Sequence, residues 1–260
     1  MSADVVVPGG IFITGTDTGV GKTLVGAALA NCLRSRGLKV DIMKPVESGV
    51  SDTAYEGEDA SLLRWASGSQ SPVDHIAPYR LEAPLAPSVA ARQEEVFIDF
   101  GGLVETAREL KKGCDFLIVE GAGGLMVPLA GGLLMADLAK AMGFPLLVVA
   151  RPDLGTINHT LLTVFTAQTM DIPVAGFMIN RMPQEPDQAE ESAPHTLSSL
   201  ASADLLGVLP KVDGTAREQV FQLSEEIAAL PTFAQLLSNF GLPTGGQSPC
   251  CKSVSERKGL

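Results

Sequence analysis

The 260-residue sequence predicts an α/β protein, a doubly wound, mostly parallel sheet with helices on both faces. Three observations predict it. Six short apolar runs recur along the chain with helical patterns between them. Most of these runs are continuous rather than alternating in hydrophobicity, which is the pattern of strands buried on both faces. And hydrophobic residues make up 45% of the chain, enough for one large core.

The expected strands, in order, are 11–14 ("IFIT"), 40–45 ("VDIMKP"), 116–120 ("FLIVE"), 146–150 ("LLVVA"), 174–180 ("VAGFMIN") and 205–209 ("LLGVL"). The clearest helix is expected over 22–36. There Leu24, Val25, Ala28, Leu29, Cys32 and Leu33 form one apolar stripe, and Gly37 is placed to end it. Residues 67–87, rich in Pro and Ala, read as irregular chain over one edge of the sheet, and the proline-rich acidic stretch 182–194 reads as an exposed loop. Residues 1–240 are expected to form a single domain. Residues 241–260 have little core-forming periodicity and read as a loose tail.

A net charge of −11 argues against general attraction to nucleic acid or to an anionic membrane. No apolar run approaches the roughly 18 residues of a spanning helix, and "MSADVVVPGG" lacks the basic-then-apolar order of a leader. Cys32, Cys114, Cys250 and Cys251 have neither zinc-site spacing nor the density of a disulfide scaffold. A reducing compartment, the cytoplasm, is the expectation.

Chemistry concentrates in three stretches. In "TGTDTGVGKT", residues 14–23, Gly15, Gly19 and Gly21 let backbone amides turn toward one point after a buried strand, and the next helix adds the positive end of its dipole. That is an anion cradle: Lys22 can reach the outer phosphates of a nucleotide, and the Thr23 hydroxyl can ligate the accompanying magnesium ion. Thr16 stands where the strict loop has glycine, which makes this a variant P-loop. In "FLIVEGAGG", Glu120 ends an apolar strand at the sheet edge that also carries the loop, where it could hold magnesium, and the following glycines expose more amides. The third stretch is "MKPVESG", with Lys44 at a strand end. Alone it reads as a solvated charge, and its neighbouring motifs are what point to chemistry.

Taken together, "TGTDTGVGKT", "KPVESG", "EGAGG", "LGTINHTLLT" and "GFMINRM" resemble, in order and interval, the dethiobiotin synthetase family, over about residues 11–212. The resemblance implies an ATP-dependent cyclo-ligase that closes a cyclic urea from diaminopelargonic acid and CO2, releasing ADP and phosphate through a carbamate and a carbamic-phosphoric anhydride. Lys44, Lys22 and Thr18 would be the catalytic residues. Gly19, Val20, Gly21, Lys22, Thr23 and Leu24 would bind ATP together with Glu120, Gly121, Ala122 and Gly123. Asn180 would read the adenine beside Arg181, and Pro210, Lys211 and Val212 would line the base pocket. Thr23, Asp59 and Glu120 would hold Mg2+, although Asp59 by itself reads as a helix cap. Ser48 would contact the diamine or carbamate, and Asn158 would complete the site of a homodimer partner. Ser88 stands where relatives often have histidine, and Leu125 and Met126 replace bulkier residues of some relatives. The alternative within the same fold is a nucleotide-dependent switch or sensor. Such proteins usually carry an extra lysine early in the loop, where this chain has Thr16, Asp17 and Thr18.

Overall fold

The computed structural model describes residues 9–244. Strand β1 (Gly10–Gly15) feeds helix α1 (Lys22–Ser35), and β2 (Val40–Met43) follows. Pro45 then interrupts the chain, which resumes as β3 (Val46–Ser48) in a different sheet. The run expected over 40–45 is therefore two strands. Next come α2 (Glu58–Ser67), α3 (Val73–Ile76), β4 (Tyr79–Leu81), α4 (Pro87–Gln93) and α5 (Phe100–Lys112). Strand β5 (Phe116–Gly124) leads through β6 (Pro128–Ala130) and β7 (Leu133–Leu134) to α6 (Met135–Met142). The remaining elements are β8 (Leu146–Ala150), α7 (Thr156–Thr169), β9 (Val174–Met182), α8 (Gln188–Leu200), β10 (Leu205–Pro210), α9 (Ala216–Ala229) and α10 (Phe233–Asn239).

Among the described residues, six strands form the main sheet in the order β10-β9-β8-β1-β5-β2, and every pairing is parallel. This is the doubly wound sheet expected from the continuous apolar runs. In β1 the alternation of side chains explains the run directly. Ile11 and Ile13 face a core shared with α1, α2 and α9, while Phe12 faces the opposite core, built on α5 and α6. A smaller cluster of Val148, Phe177, Ile179 and Leu197 lies under α7 and α8.

Two loop expectations are corrected. Within 67–87, β4 pairs in parallel with β3 and α4 begins at Pro87, so the stretch is only partly irregular. Residues 182–194 are not one loop, because β9 extends to Met182 and α8 starts at Gln188 with Pro194 inside it. An Asp187–Glu190 capping box starts this helix, and its inward Ala193 and Leu197 are buried. Capping and burial outweigh the proline. Of the expected tail, residues 245–260 lie outside the described residues, Cys250 and Cys251 among them.

Candidate active site

The C-terminal ends of β1, β5 and β2 meet at one edge of the sheet, and the chain segments leaving them wall a cavity of about 880 Å3. Thr18, Gly19, Gly21, Lys22, Thr23 and Leu24 form one wall. Lys44, Ser48 and Asp59 form a second, and Glu120, Ala122 and Gly123 a third. Val20 and Gly121 stand behind the surface. Val20 is buried in the core, and Gly121 packs so closely on the Phe12 ring that a Cβ would come within 2.9 Å of it.

The glycine loop is held from outside. Gly21 takes φ 91°, a left-handed conformation, at the start of α1, and a Cβ there would lie 2.2 Å from Asn180 Nδ2. Only glycine fits. Asn180 Nδ2 donates to the Val20 carbonyl at 3.0 Å, and Arg181 donates to the Gly19 carbonyl at 2.8 Å. These residues at the end of β9 thereby fasten the loop to the strand two places away. Inside the loop, Lys22 Nζ donates to the Asp17 carbonyl at 3.1 Å, and Asp17 accepts from the Thr18 amide at 2.7 Å. Burial lowers the Lys22 pKa, with Glu120 opposing that shift and Lys44 adding to it.

Charge collects at Lys44. Its backbone amide is bound by the Ile76 carbonyl, and its side chain, only 4% exposed, is paired with both Asp59 Oδ2, at 2.9 Å, and Glu120 Oε1. The solvated reading of this lysine is overturned. Burial works to lower its pKa, but the two carboxylates outweigh burial and hold the ammonium above the usual lysine range. Burial pushes the carboxyl of Glu120 up against the pull of Lys44, whereas Lys44 outweighs desolvation at half-exposed Asp59 and holds that carboxyl down.

The residues expected at magnesium converge here. Thr23 Oγ1 donates to Glu120 Oε1 at 2.9 Å, and Asp59 meets the same group through Lys44, which it shares with Glu120. Glu120 Oε2 is buried and has no hydrogen-bond partner, leaving an unshared anionic oxygen beside the other two groups. A hydroxyl and two carboxylates form a hard oxygen donor set of the kind magnesium takes. Among the described residues, no cluster of three or more His, Cys, Asp or Glu side chains forms a cage by itself. The set therefore fits an ion that arrives with phosphate oxygens rather than one bound by protein alone.

A second cavity, of about 440 Å3, adjoins the first through Leu24 and Arg181 and is lined by Asn180, Pro210, Lys211 and Val212. All the residues expected around the base thus share one space. Ser48 lines the main cavity with a buried hydroxyl that has no partner. Asn158 is exposed in the first turn of α7 and lies outside both cavities, and Gly155, not Asn158, is the cap of that helix. Asp59 is likewise not a cap: it is the second residue of α2, behind Gly57 and Glu58. Ser88 sits in the first turn of α4, one residue past the Pro84–Pro87 stretch that lines the main cavity.

Sequence reasoning missed Glu47. It is buried on β3 between the cavity residues Val46 and Ser48, and its carboxylate accepts from the backbone amides of Asp59, at 2.9 Å, and Ala60, at 3.1 Å. An acidic residue in a short strand pattern was the only signal, and nothing in the spacing linked it to α2. Arg151 also went unnoticed. It follows β8 and reaches Asp17 of the loop at 3.6 Å.

A phosphate-binding loop between the central strand and first helix of a parallel sheet, with a lysine, a hydroxyl and two carboxylates at its mouth, defines a P-loop nucleotide-binding protein. The family model described as an AAA domain matches residues 9–219. The fold is similar to that of the septum site-determining protein MinD complexed with Mg-ADP from Pyrococcus horikoshii, with a TM-score of 0.52 and 19% identity over 89% of this chain and 94% of that one. It is also similar to a ParA family ATPase from Chlorobium tepidum, with a TM-score of 0.51 and 13% identity over 89% and 98% of the two chains.

Sequence relatives are more specific. The ATP-dependent dethiobiotin synthetase BioD of Anaeromyxobacter dehalogenans is 45% identical over 208 residues, 80% of this chain and 92% of the relative. That of Bacillus subtilis strain 168 is 38% identical over 217 residues, 84% and 94% of the two chains. The chain belongs to the ATP-dependent dethiobiotin synthetase family.

Proposed function

We propose that the protein joins CO2 to diaminopelargonic acid at the expense of ATP, closing the cyclic urea of dethiobiotin and releasing ADP and phosphate. The observation that carries this is the meeting of Lys22, Lys44 and Glu120 with the unpartnered Ser48 hydroxyl in one cavity, in a chain of this family. In the first step an amine of the substrate attacks CO2, forms a C–N bond and loses a proton, leaving a carbamate. A carbamate oxygen then attacks the γ-phosphorus of ATP, and the bond to ADP breaks. In the resulting mixed anhydride one former carbamate oxygen is a leaving group. The neighbouring amine attacks the carbonyl carbon, phosphate departs, and a second proton is lost as the ring closes.

Two anions must approach each other in the second step, so positive charge is the main requirement. Lys22, at the phosphate loop, neutralises charge on the transferring group. Lys44, held cationic by its carboxylate partners, offers a charge between that group and the carbamate, and Thr18 and Ser48 orient the carbamate. Magnesium, held by Thr23, Asp59 and Glu120, would supply further neutralisation of the phosphates. Asn180, Arg181 and the 210–212 segment bind the base.

On this reading the active unit is a homodimer in which Asn158 completes the partner's site. Its exposure away from the cavity of its own chain supports this, as do the exposed Leu154, Leu162 and Phe165 along and just before α7. Among the described residues, no helix is long and apolar enough to cross a membrane. A cytoplasmic setting suits the free Cys32 and Cys114.

The test is to incubate the protein with magnesium ATP, labelled bicarbonate and diaminopelargonic acid and to look for labelled cyclic urea by mass spectrometry. Product is the expected result. ATP turnover that ignores the diamine but rises with DNA, lipid or a partner protein would establish the switch reading instead.

A further inference from the structure

We infer that Glu47 is a positioning residue for Asp59: it closes the open end of α2 from a neighbouring strand and so sets where the Asp59 carboxylate stands. The inference rests on the reading of Asp59 as a magnesium ligand given above.

A helix begins with backbone N–H groups that no preceding turn can satisfy, and a side chain at the cap position normally takes one or two of them. Helix α2 has Gly57 at that position and no cap bond of its own. The two amides are taken instead by Glu47, twelve and thirteen residues earlier, one by each carboxylate oxygen, at 2.9 and 3.1 Å. Gly57 and Glu47 are matched. A Cβ on residue 57 would lie 2.2 Å from Glu47 Oε1 and 2.8 Å from Oε2, so the missing cap side chain is what lets the distant carboxylate in. The positive end of the α2 dipole favours an anion there.

The arrangement joins two parts of the site. Glu47 lies three residues after Lys44 and directly before Ser48, while one of the amides it binds is that of Asp59, whose own carboxylate pairs with Lys44 at 2.9 Å. Movement of α2 relative to the 44–48 segment would move Asp59 relative to both Lys44 and Glu120. Ligand positions matter at about 0.5 Å, and loss of a group that orients a metal ligand commonly lowers metal affinity by about 10- to 100-fold.

The test begins with the wild-type protein. In hydrogen exchange followed by NMR, the amides of Asp59 and Ala60 should be protected relative to that of Glu58, although all three lie in the first turn. Equal exchange would overturn the inference. Two substitutions then disturb the contact from opposite sides. Glu47→Gln keeps the size but turns an NH2 toward one of the amides, and Gly57→Ala forces the carboxylate away while leaving Glu47 in the chain. Mn2+ binding in the presence of a non-hydrolysable ATP analogue, measured by electron paramagnetic resonance, should weaken roughly ten-fold in both. Analogue affinity without metal should not change. Wild-type Mn2+ affinity in either folded variant sinks the proposal, and Gly57→Ala decides alone if Glu47→Gln does not fold. Asp59→Asn is the control: unchanged Mn2+ binding there means that Asp59 is not a ligand and the premise has failed. Weakened binding in Asp59→Asn with none in the other two means that the positioning role alone has failed.

Discussion

At the residue scale, Lys44 and Glu120 carry the sharpest expectations. On the proposed mechanism Lys44→Gln removes a charge that the transition state needs more than the bound nucleotide does, so turnover at saturating ATP and diamine should fall by about two to three powers of ten, with a smaller change in nucleotide affinity. Lys44→Arg keeps the charge on a broader, planar head and should be impaired less. Thermal melts are needed beside the kinetics, because Lys44 also neutralises fully buried Glu120. Breaking a buried pair costs up to about 3–5 kcal/mol, less here to the extent that Glu120, whose pKa burial already raises, takes up a proton. A stable Gln variant with near-normal turnover would remove Lys44 from the chemistry. Glu120→Gln should weaken magnesium-dependent turnover with a smaller stability loss, since Lys44 keeps Asp59 as partner. Unchanged activity across a magnesium titration would take Glu120 out of the metal site. These residues were legible because each directly follows a run of apolar residues and stands shortly before a glycine. Glu47 was not, because what gives it a role is a contact between segments that no local pattern connects.

The same division holds for whole elements. The buried strands and α1 could be read because burial on two faces, or on one stripe, leaves a periodic record in the chain. The small pairs β3–β4 and β6–β7 left none, since strands of two or three residues are too short to have a period. Helix α8 was hidden by its proline. Pro194 has no N–H to give to the turn before it, and relieving such a defect recovers part of the roughly 3 kcal/mol that an interior proline costs. Pro194→Ala should therefore raise the melting midpoint, by about 2–4 °C for each kcal/mol recovered in a domain of this size. An unchanged or lower midpoint in calorimetry would show that the ring's packing, rather than helix geometry, governs that turn. Activity should be untouched, because α8 meets the base cavity only through Glu190 in its first turn.

At the scale of the molecule, assembly is the open expectation. If Asn158 serves the partner's cavity, mixing inactive Asn158→Ala with inactive Lys44→Ala should restore some turnover once subunits exchange, because one of the two mixed sites has both residues intact. Failure of proven heterodimers to turn over would count against a shared site. Phe165→Glu, on the exposed apolar side of α7, should shift sedimentation toward the monomer and reduce activity with it. A fully active variant that still sediments as a dimer would locate the contact elsewhere.

The order of strands also sets a timetable for biosynthesis. β1 and β2 are consecutive strands in the chain but are not paired with each other, because β5 lies between them and pairs with both, Ile11 with Ile118 and Ile42 with Ile118. A ribosome that has released the glycine loop and the Lys44 segment has not yet made the strand that aligns them. At roughly 5–20 residues per second, the wait for β5 lasts several seconds. Throughout it the apolar β1 and β2 have no partner in the main sheet and remain available to chaperones or to other nascent chains. Stalled chains ending before residue 116 should accordingly bind chaperone and not ATP, and chains long enough to release β5 and β8 should be the first to reverse that preference.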